Sequence, residues 1–345
     1  MHRILILNIN DFNSGYGGQA TFIKNLHPFL SKVFTLKYLI VPEVFIKNHK
    51  IPLRLIYLFQ VLFFLLLKRN KYDLIVSHTP EASYIATLFD KPLIHIFHGN
   101  NNALTESIFW YGKYFKWLFS YFDKRITKKA AKLYTVGESR KDAEKFYSPI
   151  DFHSKEKALT ADRKDFVFAG RLEKMKNIDA IIEVFSSLPE IYKADNLLHI
   201  IGVGTQEQKL KKLVSKLNLD DKVLFHGQLT NEKAIEIISN SLILLMSSSY
   251  EGFPMVIAES LTVGTPIIST EVGDISSVVR NGYNGFLLPL DYDKENYTER
   301  IVEIILNYER FSENALRSSA VFNAEEIASR FISECKNIIF QMSAG

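Results

Sequence analysis

The sequence predicts an α/β protein built from two doubly wound parallel sheets. Three observations carry this expectation. Short apolar runs alternate with longer helical patterns along the chain. Those runs are continuously apolar instead of alternating, as in strands covered on both faces. The pattern runs from residue 3 to residue 147, then begins again at residue 165. A chain of 345 residues is also too long for one ordinary core, so two domains are expected.

Taken in order, "RILILN" predicts the first strand, followed by a helix over 18–32. "LKYLIV" and a helix over 51–69 come next, then "YDLIVSH" with 80–89, "PLIHIFHG" with 104–131, and "KLYTVG" with 138–147. After "SPIDFHSKEKALTADRK" the second series starts with "DFVFAGRL" and a helix over 177–187. "LLHIIGVG" precedes a helix over 206–217, "KVLFHGQL" one over 231–239, "LILLMSS" one over 254–263, and "PIISTEV" one over 274–280. "GFLLPL" is the last predicted strand. In the closing stretch Asn323 stands as an N-cap with Glu326 three residues on, a capping-box pattern. Ile327, Phe331, Cys335 and Ile338 then share one helical stripe. The expected boundaries are 1–155 for the first domain, 156–322 for the second, and 323–345 for a helix returning to the first.

Composition narrows the function classes. Cys335 is the single cysteine, which excludes an internal disulfide framework and a thiolate metal cluster and fits a reducing compartment. "MHRILILNIN" reads as a first strand, not a signal peptide. The longest apolar block, Leu55 to Leu67, holds thirteen residues with a Gln inside, short of the roughly 20 that span a bilayer. Residues 1–160 carry 23 Lys/Arg against 12 Asp/Glu, a net +11, whereas the remainder carries 19 against 26, a net −7. The basic half lacks any zinc-finger, helix-turn-helix or RNP-like string, which argues against nucleic acid as the partner. It does contain "FWYGKYFKWLFSYFDKRITKKAAK", where aromatics interleave with cations. That mixture suits an anionic lipid surface as well as a core helix with a solvated basic face.

In open parallel sheets ligands bind beyond the carboxyl ends of strands, so candidate residues are those just after the predicted strands. The first such loop carries Gly15, Gly17 and Gly18 ahead of a helix. Glycines let backbone N–H groups approach an anion, and the helix N-terminus favours negative charge. By itself the loop fits a tight turn equally well. In "FAGRLEKMKN", Arg171 follows a strand and Lys176 lies five residues on, two cations suited to a diphosphate or simply solvated. In "YEGFPMVIAES", Pro254 is predicted at the first helical position, which leaves Glu251 in the loop and Glu259 inside the helix. The two carboxylates are therefore too far apart for a proton-sharing pair. The leading N–H groups, chiefly those of Met255 and Val256, lie between them. His98 ends a strand and precedes Gly99, while His78 and His95 read as structural.

Together these strings resemble the family 4 retaining glycosyltransferases of the two-Rossmann-domain GT-B architecture. "GYGGQATFIKNL" looks like the family's glycine-rich first loop, "FHGN" its histidine loop, and "FAGRLEKMKN" its Arg/Lys loop. "EGFPMVIAESLTVGTPIISTEVGDISSVV" is similar to its two-glutamate signature, which is highly specific. "TVGESRKDAEKFY" with "SPID" resembles the last segment of the family's first domain, although many relatives have Asn before that Pro. The resemblance implies two Rossmann-like domains facing across a cleft, the C-terminal one binding a nucleotide-sugar donor, UDP- or GDP-linked, and the N-terminal one an acceptor. It implies transfer with retention and no metal. Arg171 and Lys176 would neutralise the diphosphate, and Gly17 and Gly18 would offer backbone donors to it. Glu251 would lie near the sugar and Glu259 would accept from ribose hydroxyls. Phe253, Pro254, Met255 and Val256 would present the backbone to sugar and phosphate, and His98 would contact the donor sugar.

The implied chemistry is front-side displacement, with double displacement through Glu251 as the alternative. A nucleotide-sugar epimerase or hydrolase, or a non-catalytic nucleotide-sugar-binding protein, would use the same residues. The basic, aromatic first half adds the expectation of a saccharide or lipid-linked acceptor of surface polysaccharide or lipopolysaccharide assembly. Such an acceptor would be met at the cytoplasmic face of the membrane, through peripheral contact with anionic lipid.

Overall fold

The computed structural model describes residues 1–9, 18–41, 53–98, 116–136, 140–150 and 163–344. Contacts divide the chain into two units, one of Met1–Asp151 with Ala324–Gly345, the other of Phe152–Asn323.

The first unit holds a six-stranded sheet in which every pairing is parallel. Its strands are β1 (Arg3–Leu7), β2 (Thr35–Leu39), β3 (Leu74–Ser77), β4 (Leu93–His98), β5 (Lys132–Val136) and β6 (Glu144–Lys145), in the order β2-β1-β3-β4-β5-β6. Alternate residues along each strand point to opposite faces. On one face Ile4, Ile6, Leu74, Val76, Ile94 and Ile96 pack under α1 (Gly18–Leu30) and the C-terminal helix, Ala324–Ala344. Phe331 and Cys335 of that helix are fully buried there. On the other face Leu5, Leu7, Ile75 and Leu93 meet α2 (Leu53–Lys68) and α3 (Pro80–Ala86), and Phe97 with Leu133 meets α4 (Lys116–Lys129).

The second unit repeats the plan. Its strands are β7 (Phe166–Ala169), β8 (Leu198–Ile201), β9 (Val223–Gly227), β10 (Ile243–Leu245), β11 (Ile267–Thr270) and β12 (Gly285–Leu288), again all parallel, in the order β12-β11-β10-β7-β8-β9. Its helices are α5 (Ile178–Ser187), α6 (Glu190–Lys193), α7 (Glu207–Lys216), α8 (Asn231–Asn240), α9 (Met255–Thr262), α10 (Lys294–Leu306) and α11 (Tyr308–Ser318). The C-terminal helix of the first unit is α12. Each sheet reverses winding direction next to its first strand, between β1 and β3 in one and between β7 and β10 in the other. Loops diverge at such a point and leave room for a ligand.

Four expectations need correction. The helix predicted over 138–147 is absent from the described residues 140–150, where Glu144 and Lys145 form β6 beside Tyr134 and Thr135. Phe146 and Ile150 are the large apolar side chains buried from those residues, and Phe146 enters the sheet core directly after the short strand. The predicted helix over 274–280 shrinks to one 3-10 turn, Ile275–Ser277. Pro254 is the N-cap of α9 and not its first helical residue, with φ −74° and ψ 123°. Finally, α10 and α11 have no counterpart among the predicted helices, although Asp293 caps α10 by accepting from the Asn296 N–H at 2.6 Å, and Tyr297, Ile301 and Ile304 form its buried stripe.

Candidate active site

In the second unit the two loops flanking the winding reversal are tied together. After β7 the chain makes a 3-10 turn, Lys174–Lys176, and leaves it through Asn177 at φ 47°, ψ 44°. Asn tolerates this left-handed conformation better than most residues, which lets the chain turn directly into α5. The Met175 carbonyl accepts from the Ser249 N–H at 2.8 Å and from Ser249 Oγ at 3.2 Å, stitching that turn to the loop after β10. Across this seam Lys176 Nζ donates to Glu251 Oε1. Ser248 Oγ donates to the same oxygen at 2.7 Å. The Lys176 and Glu251 side chains are 14 % and 10 % exposed, so this pair is shielded from water.

The loop carrying Glu251 is held from its far side as well. The Gly252 carbonyl accepts from the Asp274 N–H at 2.9 Å, and the Ser248 carbonyl accepts from Thr270 Oγ1 at 2.6 Å. Gly273 sits at φ +58°, and a Cβ there would stand 2.3 Å from the carbonyl oxygens of both Glu251 and Gly252. No other residue type fits that contact without moving the loop.

Downstream, Ile257 N–H bonds the Pro254 carbonyl at 3.0 Å. The N–H groups of Met255 and Val256 stand ahead of it at the positive end of α9, whose first turn holds no acidic side chain. Phe253 lies against Phe322, ring centroids 5.9 Å apart. About one turn into α9, Glu259 is half-buried and hydrogen-bonded to Asn231, the first residue of α8. Burial pushes its carboxyl up to about 7, only partly offset by that hydrogen bond.

The structure thus brings Lys176 to Glu251, with Ser248 as a partner that the sequence reading missed. Arg171 is not drawn into this cluster: it is exposed, and among the described residues it forms no ion pair. In the first unit Gly18 opens α1 beyond β1, whereas Gly17 lies outside the described residues. His98, at the end of β4, is paired with His78, just after β3, at 2.9 Å between His98 Nε2 and His78 Nδ1. Phe22 meets both rings edge-on, with centroids 5.5 Å from His98 and 5.7 Å from His78. Burial lowers His98 to about 4, and His78 is lowered by burial and then by its histidine neighbours, so both rings are neutral at physiological pH. His78, read from the sequence as structural, is thus the buried hydrogen-bond partner of His98. Its position beyond β3, at the winding reversal, is the signal that would have singled it out. His95 donates to or accepts from Ser83 Oγ at 2.6 Å within the core.

Residues 149–318 match the model of the family described as glycosyl transferases group 1. This segment belongs to the glycosyl transferases group 1 family. Among curated relatives, N-acetyl-alpha-D-glucosaminyl L-malate synthase of Bacillus anthracis is 26 % identical over 181 residues, covering 51 % of this chain and 46 % of the relative. Lipopolysaccharide 1,6-galactosyltransferase of Escherichia coli K12 is 31 % identical over 127 residues, covering 35 % of this chain and 34 % of the relative. The chain thus spans less than half the length of either. Among solved structures, HepE of Anabaena in complex with UDP-glucose superposes with a TM-score of 0.69 at 16 % identity, over 98 % of this chain and all of that one. That likeness shows the fold, which is the GT-B fold of glycosyltransferases. The segment matched to the group 1 family contains Lys176, Glu251 and Glu259, whereas His98 and Gly18 lie outside it.

Proposed function

We propose that this group 1 glycosyltransferase is a retaining, metal-independent hexosyltransferase. It takes a sugar from a UDP- or GDP-linked donor and passes it to a saccharide or lipid-linked saccharide in surface polysaccharide or lipopolysaccharide assembly. The observation that carries the donor assignment is the Lys176–Glu251–Ser248 cluster at the winding reversal, beside the free N–H groups of α9. In this reading the second unit binds the donor and the first the acceptor. Arg171, exposed, and Lys176 take the diphosphate, supplying the countercharge that a divalent cation would otherwise provide. When the phosphate arrives Lys176 exchanges Glu251 for it, and Glu251 turns to the sugar hydroxyls. The backbone of Phe253 to Val256, with that of Gly17 and Gly18, contacts sugar and phosphate. Glu259 accepts from the ribose hydroxyls, and His98 is assigned to the donor sugar.

Transfer breaks the bond from the anomeric carbon to the β-phosphate oxygen and forms the bond to the acceptor oxygen on the same face. The acceptor proton goes to the departing phosphate. His98, held neutral, stabilises the oxocarbenium-like transition state without adding repulsive positive charge. The acceptor class draws support from the basic first half and from the lipopolysaccharide galactosyltransferase among the relatives. A lipid-linked acceptor entails peripheral contact with an anionic membrane, on its cytoplasmic face. No helix among the described residues is long and apolar enough to cross a membrane.

The test is a thermal-shift screen of nucleotide sugars, because a ligand that binds only the native state raises its melting temperature. Transfer of the binding sugar to acceptors is then followed by NMR of the new anomeric centre. A shift with UDP- or GDP-sugars and a retained anomer is expected. No shift with either nucleotide, or an inverted product, would refute the reading.

A further inference from the structure

Helix α2 is apolar on both of its faces. Tyr57, Val61 and Leu65 are buried against the first sheet. On the opposite face Leu55, Phe59, Phe63, Leu66 and Leu67 point outward, each between 49 % and 80 % exposed. Their spacing puts them in one continuous stripe along a helix of about 24 Å, whose charges are Arg54, paired with the buried Glu81 at 3.3 Å, and Lys68 at its end. A stripe of that size on a soluble surface marks something that covers it.

The surroundings point to what covers it. Helix α3 packs between α2 and α4, and all three lie on the same face of the sheet. On α4, Trp117 and Tyr121 are 67 % and 49 % exposed, and Lys124, Lys128 and Lys129 follow them outward. Lys68 and Lys71 are exposed where α2 ends, and the Lys68 ammonium lies 5.7 Å from the Phe64 ring centre. The carboxylates on these three helices are Glu81, which is buried, and Asp123, which pairs with Arg140 at 3.1 Å. The three helices therefore present apolar side chains, interfacial aromatics and cations, with no unpaired exposed carboxylate among their described residues; the exposed Asp90 lies in the turn after α3.

We propose that the outer face of α2 and α4 is an interfacial docking surface for an anionic lipid membrane. The proposal deepens the membrane contact read above by fixing which face makes it and how deep it goes. Because its inner face is committed to the protein core, α2 lies in the plane of the interface. Only the stripe from Leu55 to Leu67 enters the acyl boundary, while Trp117, Tyr121 and the lysines stay at the headgroups. The basic patch recruits the protein and the stripe retains it.

The experiment is vesicle co-sedimentation of the full chain with phosphatidylglycerol-containing vesicles and with phosphatidylcholine alone, at low and high salt. Wild-type protein is expected to pellet with anionic vesicles at low salt and to be partly released at high salt. Phe59→Ser with Phe63→Ser is expected to lower partitioning about tenfold or more, with unchanged circular dichroism, since both side chains are exposed. Lys124→Glu with Lys128→Glu is expected to remove the salt-sensitive part, again by about tenfold. The proposal is overturned if wild-type protein stays in solution with anionic vesicles at low salt, or if the phenylalanine variant pellets like wild type. It is equally overturned if sedimentation velocity shows a dimer that only that variant loses, because the stripe then covers a second copy. Vesicle binding is measured without donor or acceptor, so its loss and a loss of nucleotide binding are separate results.

Discussion

Lys176 and Glu251 are each other's charge partners in a shielded site, so removing either one strands the other. Breaking a buried pair costs about 3 kcal/mol, whereas removing both charges together costs much less. Lys176→Met is therefore expected to lower the melting temperature by several degrees, and Lys176→Met with Glu251→Gln to recover most of the loss. If Lys176 also holds the diphosphate, the double variant regains stability without regaining a UDP- or GDP-induced shift. Recovery of both together would make the lysine purely structural. Glu259 calls for a different measurement. Its carboxyl is raised from the usual 4.5 to about 7, so the native state holds a proton that the unfolded state releases. This group's contribution to stability therefore falls as pH rises from about 4.5 to 7 and stays low above that. Glu259→Gln is accordingly expected to be more stable than wild type at pH 8, by about 3 kcal/mol at most. At pH 5, where the native carboxyl is neutral and the unfolded one only partly ionised, the gain is expected to shrink to about 1 kcal/mol or less. An equal gain at both pH values would show that the carboxylate is not held uncharged by its surroundings.

The loop that carries Glu251 depends on Gly273 in a way that no side chain in the site does. Alanine there meets two penalties, a left-handed φ costing about 1–2 kcal/mol and a Cβ driven against two carbonyl oxygens at 2.3 Å. Gly282 has φ +71°, but a Cβ there would meet nothing within 4 Å, so Gly282→Ala carries only the first penalty. Gly273→Ala is thus expected to destabilise more than Gly282→Ala, and it alone is expected to weaken nucleotide binding; calorimetric melting with and without UDP measures both. The site's elements were unevenly legible in the sequence. Strands buried on both faces announce themselves as apolar runs, which is why β7, β10 and β11 and the loops beyond them could be placed. Glu251 and Lys176 were each found from their loops, but their pairing depends on the seam between Met175 and Ser249, which brings together residues 74 apart in the chain. The same holds for His78 and His98, joined only because β3 and β4 are neighbours in the sheet. The segment 138–147 misled because its periodicity is helical, while its pairing with β5 and the burial of Phe146 in the sheet core belong to long-range contacts.

At the scale of the molecule the two units carry opposite pH liabilities. In the first unit His78, His95 and His98 are kept neutral by burial, His95 down to about 3 and His98 to about 4. An unfolded chain takes up protons at these positions near pH 6.5 while the native unit does not, so this unit loses stability as pH falls below about 6.5. In the second unit Glu259 works the other way, favouring the native state most at the acid end of the same window. His226, lowered by burial and by His199, opposes it there, so the second unit's net slope is flatter than Glu259 alone would give. Asp142 and Asp165, whose carboxyls are held below the usual range, titrate too low to contribute above pH 5. Glu81, raised by burial, opposes the histidines in the first unit, but one carboxyl against three imidazoles leaves that unit gaining stability between pH 5 and 8, while the second is expected to change little or lose some. Native-state hydrogen exchange reads each unit separately through its own strands. Amides of β3 and β4 are expected to gain protection from pH 5 to pH 8, after correction for intrinsic exchange, relative to those of β7 and β10. Replacing Glu259 by Gln is expected to turn the second unit's flat or falling response into a rise across that window, since the contribution of His226 then remains unopposed. Parallel slopes in the two units, unchanged by that substitution, would mean that the three histidines and Glu259 do not govern the pH response.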